Sequence, residues 1–140
     1  MKKTLFLIED EDLLCELFAE YVQIIPNLAY LGDARDGATA LKKCFELHPD
    51  IVIVDIRMPE MNGLEILQRL HEQLPETRII IFSGTVDDDS LRLAMEHETD
   101  AYIEKAYGLD ELKRGIEYVM LGRKYYSPGI MRLLTNYQVG

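Results

Sequence analysis

The 140-residue chain has only two cysteines and no long apolar run. Cys15 and Cys44 lie in apolar, helix-like contexts without the close spacing of a metal-binding motif, so we expect two reduced thiols in the core. The apolar run at residues 5–8 is interrupted at once by acids and is too short for a signal peptide or a membrane span. We therefore predict a soluble, cytoplasmic protein that makes no membrane contact.

Positive charge is also scarce, since 15 Lys and Arg residues face 25 Asp and Glu residues and the formal net charge is −10. An acidic chain repels phosphate backbones, so these residues are not expected to bind nucleic acid on their own. Cations or a basic partner would be attracted instead. The length and the 48% hydrophobic content predict one globular domain with its own core.

Three short apolar runs without polar alternation predict strands that are covered on both faces: LFLI (5–8), IVIV (51–54) and IIIF (79–82). Weaker strands are predicted at 28–34 and 100–105. Helical periodicity fills the gaps, and its first apolar stripe comprises Leu14, Leu17, Phe18, Tyr21 and Ile25. A fivefold βα alternation predicts an α/β, doubly wound, five-stranded parallel sheet of flavodoxin-like type. We expect strand order 2-1-3-4-5 with helices on both faces.

Ligands of such sheets bind beyond the carboxyl ends of the strands, where four of the five predicted strands carry polar groups. These groups are Glu9 and Asp10 after strand one, Asp55 after strand three, Ser83 after strand four and Lys105 after strand five. The predicted order puts strand three between strands one and four, so these side chains should converge around Asp55. Strand two ends without a comparable group and should form the edge.

Three clustered carboxylates repel one another, and a hard cation bound through oxygens would offset that repulsion. Mg²⁺ fits best because it takes one or two carboxylates, keeps several waters and accepts phosphate oxygens. A carboxylate supported by Mg²⁺ and by Lys105 is arranged as a phosphoryl acceptor. The Ser83 hydroxyl could donate a hydrogen bond to a phosphate oxygen.

A stiff loop follows the acceptor strand in the segment IVIVDIRMPEMNG, residues 51–63. Proline fixes φ, so Met58 and Pro59 are expected to shape this loop, and Gly63 completes a turn before the next helix. A rigid loop would let the backbone carbonyl of Arg57 face a metal.

These motifs together resemble the receiver domain of two-component response regulators, the CheY-like fold. The likeness spans residues 3–122 and rests on Glu9-Asp10, Asp55-x-x-Met58-Pro59-x-x-x-Gly63, Ser83-Gly84 and Tyr102-x-x-Lys105. The resemblance implies that Asp55 accepts phosphate from a sensor histidine kinase's phosphohistidine. It also implies Mg²⁺ bound by Asp10, Asp55 and the Arg57 carbonyl, with Glu9 acting through water.

The same resemblance implies that Lys105 pairs with the phosphoryl group, that Ser83 is the switch hydroxyl and that Tyr102 is the switch aromatic. Phosphorylation would draw Ser83 inward and let Tyr102 fill the vacated space, changing the face made by the fourth helix, fifth strand and fifth helix. That face would then control homodimerisation or an output domain. Tyr102 could instead be plain sheet packing, and the acids at 87–89 are better explained as a helix cap than as part of the site.

Two other classes of protein are alternatives, and each normally has a sequence pattern that this chain lacks. An aspartyl-nucleophile phosphohydrolase normally has an acid two residues after its nucleophile, where this chain has Arg57. A flavodoxin-like cofactor binder needs a Ser/Thr/Gly-rich loop after the first strand, where this chain has acids. We therefore predict a signalling switch that catalyses only its own phosphotransfer and dephosphorylation.

The last segment, residues 121–140, contains Gly122 as a helix end, Ser127 as a cap and Pro128 as a first helical position. It resembles the linker of LuxR/NarL-type response regulators. We expect residues 1–122 to form the receiver and residues 123–140 a linker with a short helix. That linker would lead to a DNA-binding helix-turn-helix domain, so transcription regulation is the expected output. The alternative is a stand-alone receiver that acts through protein contacts.

Overall fold

The computed structural model describes residues 2–58 and 63–139. Strands alternate with helices along the chain, with a short 3-10 turn at Val22–Ile24 and another at Lys105–Tyr107. The strands are β1 (Lys3–Ile8), β2 (Leu28–Ala34), β3 (Ile51–Val54), β4 (Arg78–Ser83), β5 (Ala101–Glu104) and β6 (Tyr125–Tyr126). The helices are α1 (Asp12–Tyr21), α2 (Gly37–Leu47), α3 (Gly63–Gln73), α4 (Asp88–Glu96), α5 (Gly108–Met120) and α6 (Pro128–Val139).

The sheet is parallel throughout and has the order β2-β1-β3-β4-β5-β6. The predicted order of the first five strands is therefore confirmed, whereas the prediction of a five-stranded sheet is wrong by one strand. β6 pairs with the outer side of β5 through only two residues, Tyr125 and Tyr126. A segment that short has no periodicity of its own, so the sequence pattern could not reveal it.

Two apolar clusters lie on opposite faces of the sheet. One face is covered by α1 and α5, and the other by α2, α3, α4 and α6. Ile51, Ile53 and Ile80 point to the first face, while Val52, Val54 and Ile81 point to the second. Both faces are buried, which explains why these strands are apolar at every position.

The apolar stripe of α1 differs from the predicted one at Leu17, which is 47% exposed. Phe18 and Cys15 are buried, as predicted. Apolar residues surround much of α1, so spacing alone could not decide which stripe faces the sheet.

The chain after α5 is part of the same packed unit. Gly122 adopts φ 78° and ends α5, as predicted, with its N–H donated to the carbonyl of Val119. The Tyr125 N–H then donates to the carbonyl of Asp100, just before β5, and the Ser127 N–H donates to the carbonyl of Tyr102 in β5, at 3.0 Å each. The sheet and its core thus continue beyond residue 122, where the receiver was expected to end.

The helix α6 packs against α4 and β5. Its Ile130 is completely buried in the cluster that contains Leu91, Ala94 and Tyr102, with Leu133 and Leu134 at the margin. Part of the face expected to change on phosphorylation is therefore covered by α6 in this structure.

Among the residues that the structure describes, none of the helices combines the length and the hydrophobicity that crossing a lipid bilayer requires.

Candidate functional site

Backbone hydrogen bonds of the parallel sheet extend to the first residues of the site. The Glu9 N–H donates to the Ala34 carbonyl and the Asp55 N–H donates to the Ile8 carbonyl, both at 3.1 Å. These bonds continue the pairing of β1 with β2 and with β3 for one further residue. The sheet therefore fixes the backbones of Glu9 and Asp55, although both residues lie just beyond the carboxyl ends of their strands.

Glu9, Asp10 and Asp55 form a cluster in which carboxylate oxygens, one from each residue, all lie within 4.8 Å of one another. Glu9 is 1% exposed and Asp55 6%, while Asp10 is half-buried. The three side chains that strand order predicted to converge do so. Three anions at this separation are unfavourable unless positive charge lies close to them.

Lys105 supplies the nearest positive charge. Its Nζ lies 2.8 Å from Glu9 Oε1, 3.0 Å from Asp55 Oδ2 and 3.8 Å from Glu11 Oε1. The lysine thus bridges the first and third strands from the end of the fifth. One ammonium leaves about two negative charges of the three-carboxylate cluster uncompensated, because it offsets only a single charge.

Backbone donors hold both anionic side chains in place. The Glu11 N–H donates to Glu9 Oε2 at 3.1 Å, and the Arg57 N–H donates to Asp55 Oδ1 at 2.9 Å. Burial raises the pKa of Glu9 above its ordinary value, although the hydrogen bonds from Lys105 and from the Glu11 amide oppose that rise. Burial acts against the charged form of Lys105, but its contacts with Glu9 and Asp55 outweigh this and raise its pKa.

The cluster has the chemistry of a magnesium site. Its donors are all oxygens, which hard cations prefer over nitrogen or sulfur, and its remaining charge of about two matches a divalent ion. Asp10 is only half-buried, so an ion at this cluster could keep several of its waters. The residues present therefore fit Mg²⁺, with Glu9, Asp10 and Asp55 as the groups that would hold it.

Millimolar Mg²⁺ is expected to raise the melting temperature of the wild-type chain, because the ion relieves repulsion that exists only in the folded state. Glu9→Gln should reduce this gain. Without Mg²⁺, the same variant should unfold less readily than the wild type at pH 7 but not at pH 4. The reason is that a carboxyl whose folded pKa is raised costs stability as the pH rises above its unfolded pKa, near 4.5.

The matched control is Glu11→Gln, which removes one charge near Lys105 from a side chain that is 63% exposed. It should leave the Mg²⁺ effect and the pH dependence close to those of the wild type. Thermal melts at the two pH values, with and without Mg²⁺, measure both quantities. A wild-type chain whose melting temperature does not respond to Mg²⁺ would contradict the assignment of the cluster.

Ser83 and Tyr102 are linked through one loop residue. Ser83 is completely buried, and its Oγ accepts a hydrogen bond from the Thr85 N–H at 3.2 Å. The Tyr102 O–H donates to the Thr85 carbonyl at 3.0 Å. Burial raises the pKa of Tyr102 to about 12, so its phenol is neutral at physiological pH. Thr85, which the sequence did not single out, therefore connects the two expected switch residues.

Tyr102 is completely buried in this structure. Its ring packs in the cluster beneath α4 and α6, and its hydroxyl has a carbonyl partner. The expected movement of Tyr102 into a space vacated by Ser83 on phosphorylation stays a prediction.

The loop after β3 is only partly described. Met58 is buried in the cluster on the α3 and α4 face, which fits a shaping role. Pro59 lies outside the described residues. A Cβ on Gly63, the first residue of α3, would lie 2.6 Å from the Ile56 carbonyl oxygen, so glycine is what allows these two backbone segments to approach closely. The turn predicted before Gly63 lies outside the described residues.

Arg57 contributes a side-chain contact that the sequence did not predict. Only its backbone carbonyl was expected to act, as a metal ligand. Its Nη2 lies 2.6 Å from Asp87 Oδ2 and 2.8 Å from Ser90 Oγ. Asp87 caps α4, as predicted, since its Oδ1 accepts from the Ser90 N–H at 2.8 Å. No sequence pattern links Arg57 to residues about thirty positions further along the chain, so the contacts with Asp87 and Ser90 could be found only in the folded structure.

The comparisons with known proteins agree with this geometry. The model of the response regulator receiver domain family matches residues 5–117. This chain belongs to that family.

Relatives of the receiver are two-component regulators of LuxR/NarL type. It is 30% identical to the response regulator GacA of Pseudomonas aeruginosa over 128 residues, which cover 91% of this chain and 60% of GacA. It is 27% identical to the nitrate/nitrite response regulator NarL of Escherichia coli over 132 residues, covering 94% and 61%. The receiver thus spans about three-fifths of the length of these relatives.

Solved structures resemble the receiver over its whole length. A LuxR-family two-component response regulator from Aurantimonas sp. SI85-9A1 matches with a TM-score of 0.91 and 25% identity, covering 100% of both chains. The isolated receiver domain of RcsB from Salmonella enterica serovar Typhimurium matches with a TM-score of 0.88 at 15% identity, covering 95% of this chain and 99% of that one. The second likeness shows the fold alone.

Proposed function

We propose that this receiver is a phosphorylation-controlled switch in which Asp55 accepts a phosphoryl group from the phosphohistidine of a sensor histidine kinase. The observation that carries the proposal is the position of Lys105, whose ammonium contacts both Glu9 and Asp55 above a cluster of three carboxylates. A buried, oriented carboxylate beside a fixed cation is suited to attack an electrophilic phosphorus.

The transfer balances without a further reactant. An Asp55 carboxylate oxygen attacks the phosphorus, the bond between phosphorus and the kinase imidazole nitrogen breaks, and that nitrogen keeps the electron pair. A proton on the other ring nitrogen of the phosphohistidine lets the imidazole leave as a neutral ring. Lys105 can then exchange its contact with Asp55 Oδ2 for one with a phosphoryl oxygen, while the Arg57 N–H holds Oδ1. The Ser83 hydroxyl is proposed to donate to the phosphoryl group.

Mg²⁺ bound by Glu9, Asp10 and Asp55 would neutralise charge on the phosphoryl oxygens. The Arg57 backbone carbonyl is proposed as a further ligand. Removal of the phosphoryl group by water would be the only other reaction of this site, so the receiver acts in signalling rather than on a metabolite.

The output is proposed to pass through α4, β5 and the elements covering them. Thr85 connects Ser83 to Tyr102, and Tyr102 shares its apolar cluster with α4 and α6. Homodimerisation on phosphorylation and transcription regulation are proposed from the relatives, among them a LuxR-family regulator from Staphylococcus aureus described as DNA-binding. DNA contacts would come from a helix-turn-helix domain joined through residues 123–140. The cytoplasmic location stays a prediction.

Incubation of the wild-type chain with acetyl phosphate and Mg²⁺ tests the proposal. Intact-mass measurement should show one added phosphoryl group, which hydroxylamine removes because an acyl phosphate is reactive towards this nucleophile. Chelation of Mg²⁺ should prevent the addition. An adduct that resists hydroxylamine would indicate a hydroxyl acceptor, and no adduct under any condition would refute the proposal.

A further inference from the structure

The Arg57 side chain connects the acceptor loop with the first turn of α4. A single guanidinium nitrogen, Nη2, lies within hydrogen-bond distance of both Asp87 Oδ2 and Ser90 Oγ. Arg57 and Asp87 are about half exposed, but Ser90 is 2% exposed. The contact therefore reaches into the base of the helix instead of remaining a surface ion pair, which alone would contribute little.

Asp87 serves two partners at once. Its Oδ1 accepts from the Ser90 N–H and caps α4, while its Oδ2 faces Arg57. The guanidinium thus fixes the orientation of the capping side chain, and with it the start of the helix. The helix α4 in turn packs against α6, so the helix that Arg57 contacts also touches the chain after α5.

Arg57 also contacts the acceptor, because its backbone N–H donates to Asp55 Oδ1 at 2.9 Å. Arg57 therefore contacts Asp55 through its backbone and the first turn of α4 through its side chain. A phosphoryl group on Asp55 would replace the single negative charge of the carboxylate by about two, two residues away from Arg57. Guanidinium groups bind phosphate oxygens in a bidentate manner, as they bind carboxylates, so a phosphoryl group at Asp55 would be a second possible partner for Arg57.

We propose that Arg57 is a positioning residue that holds the first turn of α4 in the unphosphorylated receiver and releases it when its guanidinium turns to the phosphoryl group on Asp55. This inference rests on the proposed function, since it requires a phosphoryl group at that position. It is a second connection to α4, separate from the one through Ser83, Thr85 and Tyr102. Asp87 and the phosphoryl group compete for the same guanidinium.

Competition predicts opposite effects of two substitutions on the binding of beryllium trifluoride, a phosphoryl mimic, in the presence of Mg²⁺. Arg57→Ala removes a ligand of the mimic and should weaken its binding about fivefold, at the lower end of typical coupling between sites. Asp87→Asn keeps a capping side chain but frees the arginine, so it should strengthen binding. A purely structural role would move both variants in the same direction. Asp88→Asn is the matched control, with the same charge change one residue further along the chain.

Hydrogen exchange of α4 amides in the same proteins provides the second measurement. In the wild-type chain, exchange in the first turn should accelerate when the mimic binds. In Arg57→Ala it should already be fast without the mimic and should change little when the mimic is added. Asp88→Asn should behave as the wild type in both respects.

The outcomes separate this inference from the proposed function. If the wild type takes up neither phosphoryl group nor mimic, the proposed function fails and the release of α4 fails with it. If the wild type takes up the mimic but Arg57→Ala and Asp87→Asn weaken binding alike, the inference alone is overturned. It is also overturned if α4 exchange in Arg57→Ala matches that of the wild type in both states.

Discussion

Asp55→Asn is expected to reduce phosphoryl incorporation from acetyl phosphate to background, a loss of roughly 10³-fold or more, as for removal of other covalent nucleophiles. The amide keeps the shape of the side chain and can still accept the hydrogen bond from the Arg57 N–H. It lacks the negative oxygen that forms the bond to phosphorus. Intact-mass spectrometry after incubation with Mg²⁺ measures the change.

A second variant separates the nucleophile from the metal ligands. Asp10→Asn leaves Asp55 and its contact with Lys105 unchanged, so it should retain slow incorporation that increases with Mg²⁺ concentration. Asp55→Asn should not recover at any Mg²⁺ concentration. Equal labelling of Asp55→Asn and the wild type would place the acceptor at another residue.

Ile130→Ala is expected to lower the free energy of unfolding by about 2–5 kcal/mol, the range for truncating a buried aliphatic side chain. Ile130 is 0% exposed in the cluster with Leu91, Ala94 and Tyr102, so its loss leaves a cavity beneath α6. The expected effect is large for a residue in a segment that sequence reasoning assigned to a linker. Urea denaturation of the whole chain measures it.

Met131→Ala is the matched control, because the neighbouring side chain is 49% exposed and lies on the outer side of α6. Its effect should stay within about 0.5 kcal/mol, as for most surface substitutions. Similar small effects of both substitutions would mean that α6 does not remain packed on the sheet in solution.

The sequence predicted the centre of the site well because strand ends have a simple geometry. Glu9 and Asp55 each follow an apolar run, Lys105 ends a weaker predicted strand, and the order of five parallel strands decides which of these ends are neighbours. The repulsion among clustered carboxylates then suggested a hard cation bound through oxygens. None of these steps required a side-chain conformation.

The sequence could not predict the features that depend on side-chain direction. The Arg57 guanidinium could have pointed to Asp55, to solvent or to α4, and its spacing from Asp87 has no characteristic value. The stripe of α1 was misplaced at Leu17 for a similar reason, since several rotations of an apolar helix satisfy the same pattern. β6 was missed because two residues show no alternation.

The attachment of β6 to β5 connects the packing of α6 with the affinity of the site at Asp55. The Glu104 N–H donates to Ser127 Oγ at 3.2 Å, and Glu104 directly precedes Lys105, whose Nζ contacts Asp55. Suppose that phosphorylation changes the equilibrium constant for packing of α6 against α4 and β5. Thermodynamic linkage then requires that fixing α6 in its packed position changes the affinity of the site for phosphoryl ligands by the same factor. A molecule that binds Met131 and Thr135 more tightly when α6 is packed on the sheet than when it is released would then be an effector of phosphoryl-mimic binding at Asp55 without approaching it.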